Sequence, residues 1–513
     1  MALIPLAYLL VRTAQGGLGA WVETVATERT ARLATTSLLL AAVVTAACLV
    51  IGVGSAWLVT RSNTPGRRAF AVLLALPLAV PSYVAAFTWV SVSDLWAATP
   101  GSRFEGFLAA AVVLTLYTYP YVYLPVAAAL VRVDPAQEEV ARSLGRGPWR
   151  TLTTVTLPQV RPAIAGGGLL AILYILSDFG AVSILRVDTF TRAIFTAFSA
   201  GFDRSTALSL STILVLLTVL VLTLEGRTRR RDARYESAGA GRATSTLDLG
   251  RSRWAAAAVL TATALLALGV PAVSMLRWMT AGTSRADSWG QVLAAAAGSL
   301  TVSLAGALLT MVLALPIGIL AARHPGRLSA LTERAAYLAH SLPGVVVGLS
   351  LVFLGVTVLM PLYQTTWLLA FAYATLFLPL GVAAVTGAAA QAPPALEEVG
   401  TSLGRSPAQV FRSVTLPLTL PGIGAGAALV FLTCMKELPA TLMLRPTGLD
   451  TLATELWQAT SYQRYAEAAP YAFLLVLLAT IPTWALVRRS GVVTTTRTRA
   501  TGRVLDEELI IHD

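Results

Sequence analysis

Three ionisable side chains, Asp178, Lys436 and Glu437, stand inside otherwise apolar stretches of this 513-residue chain. Carboxylates and an amine held away from bulk water can bind a cation, line a path for one, or pair with each other. Carboxylates are hard ligands and suit a hard trivalent cation. A second set of candidates lies in hydrophilic sequence, in "EEVARSLGRGPWRTLTTVTLP" from Glu138 to Pro158 and "EEVGTSLGRSPAQVFRSVTLP" from Glu397 to Pro417. Of the 30 positions from Glu138 to Gly167, 15 are identical, without a gap, to those from Glu397 to Gly426. The same offset of 259 residues pairs Asp178 with Glu437 and Ser177 with Lys436.

The elements that carry these residues are apolar helices. The chain is 56% apolar and 12% charged, with a mean hydropathy of +0.71, against about 25% charged residues in soluble domains. Apolar runs long enough to cross a bilayer recur along the chain. Spans are expected near 1–13, 34–60, 69–93, 107–131, 163–186 and 207–224, and again near 254–279, 296–322, 336–360, 366–389, 422–446 and 470–488. The pattern predicts an all-α membrane protein of about twelve transmembrane helices in two parallel six-helix repeats. An even number of spans per repeat gives both copies one orientation, related by a pseudo-two-fold axis along the membrane normal.

Domain boundaries follow. The first repeat covers 1–224 with the loop 134–158, and the second covers 254–489 with the loop 393–417. Residues 225–253 are charged and Gly/Ala/Ser-rich and read as a cytoplasmic linker, and 490–513 as a cytoplasmic tail. Small gaps pair Pro65-Gly66 with Pro325-Gly326, Pro81 with Pro343, and Pro5 with Pro271. About seventeen apolar residues precede Pro271 but only four precede Pro5, so the first helix is too short to span alone. A misplaced start site and a shortened helix both account for that. With the repeated segments in the cytoplasm, about 26 Arg fall inside and about 11 outside or at the border, as the positive-inside rule requires. This removes the nucleic-acid reading of the net charge of +12.

Each repeated segment reads as a helix, a stop and a second short helix. Asp134 caps a helix opened by Pro135, with Gln137 completing a capping-box pattern. Gly145 supplies the left-handed stop, and Pro148 opens a second helix expected to end before Pro158. In the second copy Pro393, Pro394, Gly404, Pro407 and Pro417 take those places, and Pro393 has no side-chain acceptor for a cap. An amphipathic helix resting on headgroups would need no fixed Glu, Gly and Leu-Pro. A helix docking in a protein groove would, because its register and exit angle matter.

The spacing Glu139-Val140-Ala141, Gly145, Val155, Leu157-Pro158 resembles the EAA loop of ABC importer permeases, and Glu398, Gly404, Val414 and Leu416-Pro417 match it again. Val140, Val399 and Gly400 depart mildly from the two alanines of the strict pattern. The stretches 74–90, 177–207 and 436–472 resemble the fused two-repeat permeases of ferric iron importers. The resemblance implies coupling to an ATPase through Glu139, Ala141, Leu144, Gly145, Leu157 and Pro158 and through Glu398, Leu403, Gly404, Leu416 and Pro417. It implies two copies of a cytoplasmic ABC ATPase, an extracytoplasmic iron-binding protein, and a multi-pass place among the lipids of the bacterial inner membrane. It also implies a non-catalytic transport subunit that binds no cofactor directly, with ATP-Mg on the partner. Thiamine, phosphonate or another small solute remain alternative substrates. A P-loop needs GxxxxGK[ST], and the single lysine, Lys436 in "LTCMKEL", cannot supply it.

Asp178, Lys436 and Glu437 then have two readings. They line the pathway or its gate, or they form an ion pair that holds helices in register. The structural or gating reading is favoured, since a permeation path needs weak sites. Tyr117, Tyr119, Tyr121 and Tyr123 are spread around a helix and read as packing residues; His324, His340 and His512 are too scattered for a metal cluster. Pro77, Pro81, Pro120, Pro125 and Pro343 are expected to kink spans, and Gly166, Gly167 and Gly168 to allow close helix contact. A secondary transporter would explain the duplication but not the repeated docking motif. Ser350 near His340 lacks the supporting acid of a hydrolase.

Overall fold

The computed structural model describes residues 3–15, 18–93, 104–133, 135–201, 203–232, 246–281, 289–324, 326–340 and 342–489. Among them the regular structure is helical, apart from one isolated parallel bridge between Ser62 and Leu247. Among the described residues nine helices are long and apolar enough to cross a membrane. Backbone groups in lipid must be satisfied within the segment, which leaves helices as the spanning form for such sequences.

The expected spans that are not among the nine are short or broken. Ile4–Gln15 has 12 residues. Arg67–Ala79 and Ser82–Ser91 pass together as one apolar span bent by 94° at Val80-Pro81. In the second repeat the helices Arg327–His340 and Gly344–Thr357 lie on either side of Pro343, which stands at the N-cap of the second. Proline has no N–H and pushes its predecessor out of the α region, so the third span of each repeat stops and restarts at its proline.

The chain divides into two compact units that do not coincide with the sequence repeats. One comprises Met1–Leu33, Thr189–Val219 and Thr283–Pro482. In it Ile4–Gln15 packs on Gly344–Thr357, where the Tyr8 hydroxyl donates to the Phe353 carbonyl (3.2 Å). Thr13 and Thr212 share a hydroxyl hydrogen bond of 2.9 Å. The other unit comprises Ala34–Asp188, Leu220–Gly282 and Thr483–Asp513. There Val270–Ala281 packs on Ser82–Ser91 through a 2.8 Å bond between the Ser91 and Ser274 hydroxyls. The first helix of each sequence half therefore packs in the unit built mainly from the other half.

Small residues set the closest helix approaches. A Cβ on Gly167 would lie 2.8 Å from the Val122 Cα and 3.0 Å from the Tyr121 carbonyl, and one on Gly426 would lie 2.3 Å from the Ala384 Cβ. Gly168 leaves ordinary contact room, and Gly166 faces nothing within 4 Å. Close packing is thus the work of Gly167 within that glycine run. Tyr117, Tyr119 and Tyr123 are buried, the Tyr123 hydroxyl donating to the Ala71 carbonyl (3.2 Å), and Tyr121 stacks on Tyr174 with ring centroids 5.2 Å apart. Ser350 is fully buried within its helix.

Two expectations need correction. The second helix of each repeated segment does not end before its Leu-Pro. Pro148–Ser177 and Pro407–Met435 are continuous helices that run on into the membrane. A π-turn precedes each proline, at Leu152–Thr156 and Phe411–Thr415. The wider i→i+5 turn carries the chain past Pro158 and Pro417, whose missing N–H would have broken a regular ladder. The stretch 225–253 is also not uniformly irregular, because the helix Arg204–Asp232 continues past Glu225 and residues 246–250 dock on Arg61–Asn63. Residues 233–245 and the tail 490–513 lie outside the described residues.

Candidate functional site

The helix Pro135–Ser143 ends in a Schellman turn. Gly145 takes φ +77°, its N–H donates to Arg142 (3.0 Å), and the Arg146 N–H donates to Ala141 (3.0 Å). In the second copy Pro394–Ser402 ends the same way: Gly404 has φ +79°, with bonds to Thr401 (2.9 Å) and from Arg405 to Gly400 (3.3 Å). A residue with a Cβ would strain that left-handed position, which is why glycine stands there twice. A side-chain bond crosses each turn, from Arg146 to Thr154 (3.1 Å) and from Arg405 to Ser413 (2.8 Å).

Helical phase sorts the helix Pro135–Ser143 into two faces. Glu138 and Ala141, one turn apart, point inward and are 4% and 5% exposed. Glu138 accepts from the Thr156 hydroxyl (2.7 Å) and pairs with Arg61 (3.3 Å) and Arg142 (3.8 Å). Arg61 is itself buried and also donates to the Leu130 (2.6 Å) and Val133 (3.4 Å) carbonyls. The helix is thereby clamped between the end of Glu28–Arg61 and the π-turn of the following span. Glu139, Val140, Leu144 and Gly145 face outward, and Leu144 is 74% exposed. Leu157 and Pro158 are half-buried at the start of the span.

The second copy repeats the clamp. Glu397 accepts from Thr415 (3.0 Å) and from Arg323 at 2.8 and 3.0 Å, and Arg323 also donates to the Ala392 carbonyl (3.0 Å). Gly400, in the place of Ala141, is buried against Val410, and a Cβ there would come within 3.1 Å. Glu398, Val399, Leu403 and Gly404 are exposed, Leu403 at 72%; Leu416 is half-buried and Pro417 exposed. Each loop therefore shows solvent an acid beside apolar side chains, an unusual surface for an exposed turn and a usable one for a partner groove.

Asp134 lies outside the described residues. Gln137 accepts from Gln159 (3.0 Å), tying the helix Pro135–Ser143 to the span. In the second loop Pro393 makes no side-chain cap, as its chemistry requires, while Ser406 and Gln409 form a full capping box on the following helix. The inner acids Glu138 and Glu397 and their arginines, Arg61 and Arg323, were not singled out by sequence. One signal was present: both arginines close a long apolar run, four and two residues before the paired Pro65 and Pro325.

Asp178 and Glu437 do not stand within continuous spans. Each follows the end of one, at the break before a short helix. Asp178 accepts from the N–H groups of Ala181 (3.0 Å) and Val182 (3.2 Å) and is hydrogen-bonded by the Ser82 hydroxyl. Glu437 accepts from the N–H groups of Ala440 (2.9 Å) and Thr441 (3.0 Å) and from the Thr441 hydroxyl (2.7 Å). A Cβ on Gly344 would meet the Glu437 carboxylate at 2.7 Å. Each acid thus caps its own short helix and also sits at the start of the restarted third span, Ser82–Ser91 or Gly344–Thr357. Helix N-termini favour an anion there. Lys436 is half-buried at the C-terminal end of Leu416–Met435. Among the described residues no three His, Cys, Asp or Glu side chains gather as a metal site.

A family model described as binding-protein-dependent transport system inner membrane component matches the chain twice, over residues 48–230 and 314–490. An Fe(3+)-transport system permease protein of Haemophilus influenzae is 38% identical over 488 residues, covering 94% of this chain and 95% of that protein. A sulfate transport system permease protein of Escherichia coli is 30% identical over 187 residues, 35% of this chain and 68% of the relative. A molybdenum transport system permease protein of Escherichia coli is 32% identical over 144 residues, 26% of this chain and 62% of the relative.

Proposed function

The chain belongs to the family of binding-protein-dependent transport system inner membrane components, and we propose that it carries ferric iron across that membrane as the permease of an ATP-driven importer. It is a multi-pass, non-catalytic subunit. The observation that carries the substrate is the near full-length similarity to an Fe(3+)-transport permease. The sulfate and molybdenum permeases are matched over 35% and 26% of the chain.

In this reading a cytoplasmic ATPase supplies ATP-Mg chemistry, one copy for each coupling loop, and an extracytoplasmic binding protein delivers iron. The exposed faces around Glu139 and Leu144, and around Glu398 and Leu403, enter the ATPase grooves. The inner faces, through Glu138 and Glu397, join those helices to the span ends at Arg61 and Arg323 and to the π-turns at Thr156 and Thr415. Closure of the ATPase then moves the spans Pro148–Ser177 and Pro407–Met435, because each coupling helix is tied to the base of its span. Asp178 and Glu437 act as positioning residues of the gate region. Their oxygens are occupied by local N–H and hydroxyl donors, which supports the structural reading over that of pathway ligands.

The test is uptake of radioactive ferric iron in cells lacking and then regaining the gene, with labelled sulfate and thiamine in parallel. Iron uptake that returns with the wild type, but not with Glu139→Arg plus Glu398→Arg, is the expected result. Unchanged iron uptake with loss of another solute overturns the substrate. Full uptake by a stably inserted double variant overturns the coupling role.

A further inference from the structure

The first coupling helix leans on chain that its own repeat does not contain. Arg61, which clamps Glu138 with its guanidinium, accepts a hydrogen bond on its backbone carbonyl from the Leu247 N–H (2.9 Å). The Asn63 N–H donates back to the Leu247 carbonyl (3.2 Å), forming the parallel bridge between Ser62 and Leu247. The Asn63 side chain closes the junction from both ends. Its Nδ2 donates to the Asp248 carboxylate, and its Oδ1 accepts from the Leu249 N–H (3.0 Å). Asp248 also accepts from the Gly250 N–H (2.9 Å). Leu247 lines one small cavity with Trp57, Arg61, Glu138, Leu152 and Thr156, so the linker reaches the clamp itself.

The sequence marks this junction as particular to the first repeat. "RSNTPG" from Arg61 to Gly66 aligns with "RHPG" from Arg323 to Gly326, so the first repeat has two extra residues, Asn63 and Thr64. Asn63 makes the linker bonds, and Thr64 shares a 2.6 Å hydroxyl bond with Ser62 beneath them. Among the described residues the only isolated bridge is the one between Ser62 and Leu247. The shorter "RHPG" turn has no counterpart of Asn63 to make such a junction.

We propose that residues 246–250 of the inter-repeat linker are a strap that positions the first coupling helix, with Asn63, Leu247 and Asp248 as its positioning residues. The strap fixes the backbone from which Arg61 reaches Glu138, so the first loop passes on the ATPase stroke through a stiffer joint than the second. The role in transport rests on the reading of 134–158 as the ATPase-coupling loop; the mechanical role does not.

The experiment uses the full chain in lipid nanodiscs and a charge swap at the Asn63–Asp248 contact. Asn63→Asp opposes two carboxylates, whereas Asn63→Asp with Asp248→Asn restores one donor and one acceptor. Hydrogen exchange at residues 136–144 is read against residues 395–403 as internal control. Asn63→Asp is expected to speed exchange in the first segment about threefold and to leave the second unchanged, with the swap returning the wild-type rate. In reconstituted transporter, solute moved per ATP hydrolysed should fall in the single variant and recover in the swap. Equal exchange in wild type and the single variant, acceleration in both segments alike, or a swap that fails to rescue overturns the strap. Faster exchange with unchanged solute per ATP overturns its role in coupling. Transport by Glu139→Arg plus Glu398→Arg would instead refute the coupling-loop reading, leaving the exchange result standing.

Discussion

Replacing Arg61 with Ala tests the clamp most directly. The substitution removes the guanidinium from Glu138 and from the carbonyls of Leu130 and Val133. The Glu138 side chain is 6% exposed, so water cannot replace what is lost. Breaking a buried pair from one side costs about 3–5 kcal/mol. Arg142 stays 3.8 Å away but is 36% exposed, and Thr156 still donates, so the lower figure applies. About 3 kcal/mol shifts the docked–undocked equilibrium of Pro135–Ser143 by roughly a hundredfold. Amide hydrogen exchange at residues 136–144 reads that shift, because local opening governs exchange there.

Arg323→Ala supplies the internal comparison. Its partner Glu397 has a side chain 24% exposed, so solvent recovers part of the loss. The expected cost is about 1–2 kcal/mol, or roughly tenfold in exchange at residues 395–403. A second arm separates lost attraction from stranded charge. Arg61→Ala with Glu138→Gln removes the uncompensated carboxylate and keeps an acceptor for Thr156, so it should recover at least about tenfold of the loss. Exchange at 136–144 that rises less than threefold, or a double variant no better than the single, would refute the reasoning.

Leu144→Asp and Leu403→Asp should leave thermal stability within about 0.5 kcal/mol, since both leucines are over 70% exposed; co-purification of the ATPase should fall sharply, and retained binding would remove these residues from the docking surface. Gly167→Leu should cost about 1–3 kcal/mol, because its Cβ meets Val122 at 2.8 Å, while Gly166→Leu should be nearly neutral with nothing within 4 Å. Thermal unfolding in detergent measures both, and equal effects would refute the close-contact assignment. Asp178→Asn keeps an acceptor for the Ala181 and Val182 amides and should retain most transport, whereas Asp178→Ala strands both donors at about 1–2 kcal/mol. Uptake assays that find the Asn variant as inactive as the Ala variant would return Asp178 to the pathway.

Much of the site was legible where its cause is local. A proline opener, a glycine stop six residues past Glu139 and Glu398, and a run of helix formers between them need no tertiary information. The end of the second helix is not legible at Pro158, because proline normally stops a helix. The π-turn that lets it continue gains its support from neighbours: Thr156 and Thr415, at the last positions of the two π-turns, both donate to inner glutamates 18 residues away. The breaks at the two acids are hidden from sequence in a related way. Hydropathy reads straight through Asp178 and Glu437, but the chain breaks there, because each carboxylate satisfies the freed N–H groups of the next turn.

By itself the sequence determined the membrane, the helices, the duplication and the two repeated helix–stop–helix segments. Run length, periodicity and repeated turn chemistry are properties of contiguous residues. Only the tertiary structure decided which of two adjacent glutamates faces in. Glu138 and Glu139 are chemically equal in sequence, and their roles differ because Arg61 arrives on one face of the helix from 77 residues away. It also decided that the first helix of each half packs in the other unit, and that the linker closes on Asn63. Those choices depend on which surfaces meet, and no local pattern records that.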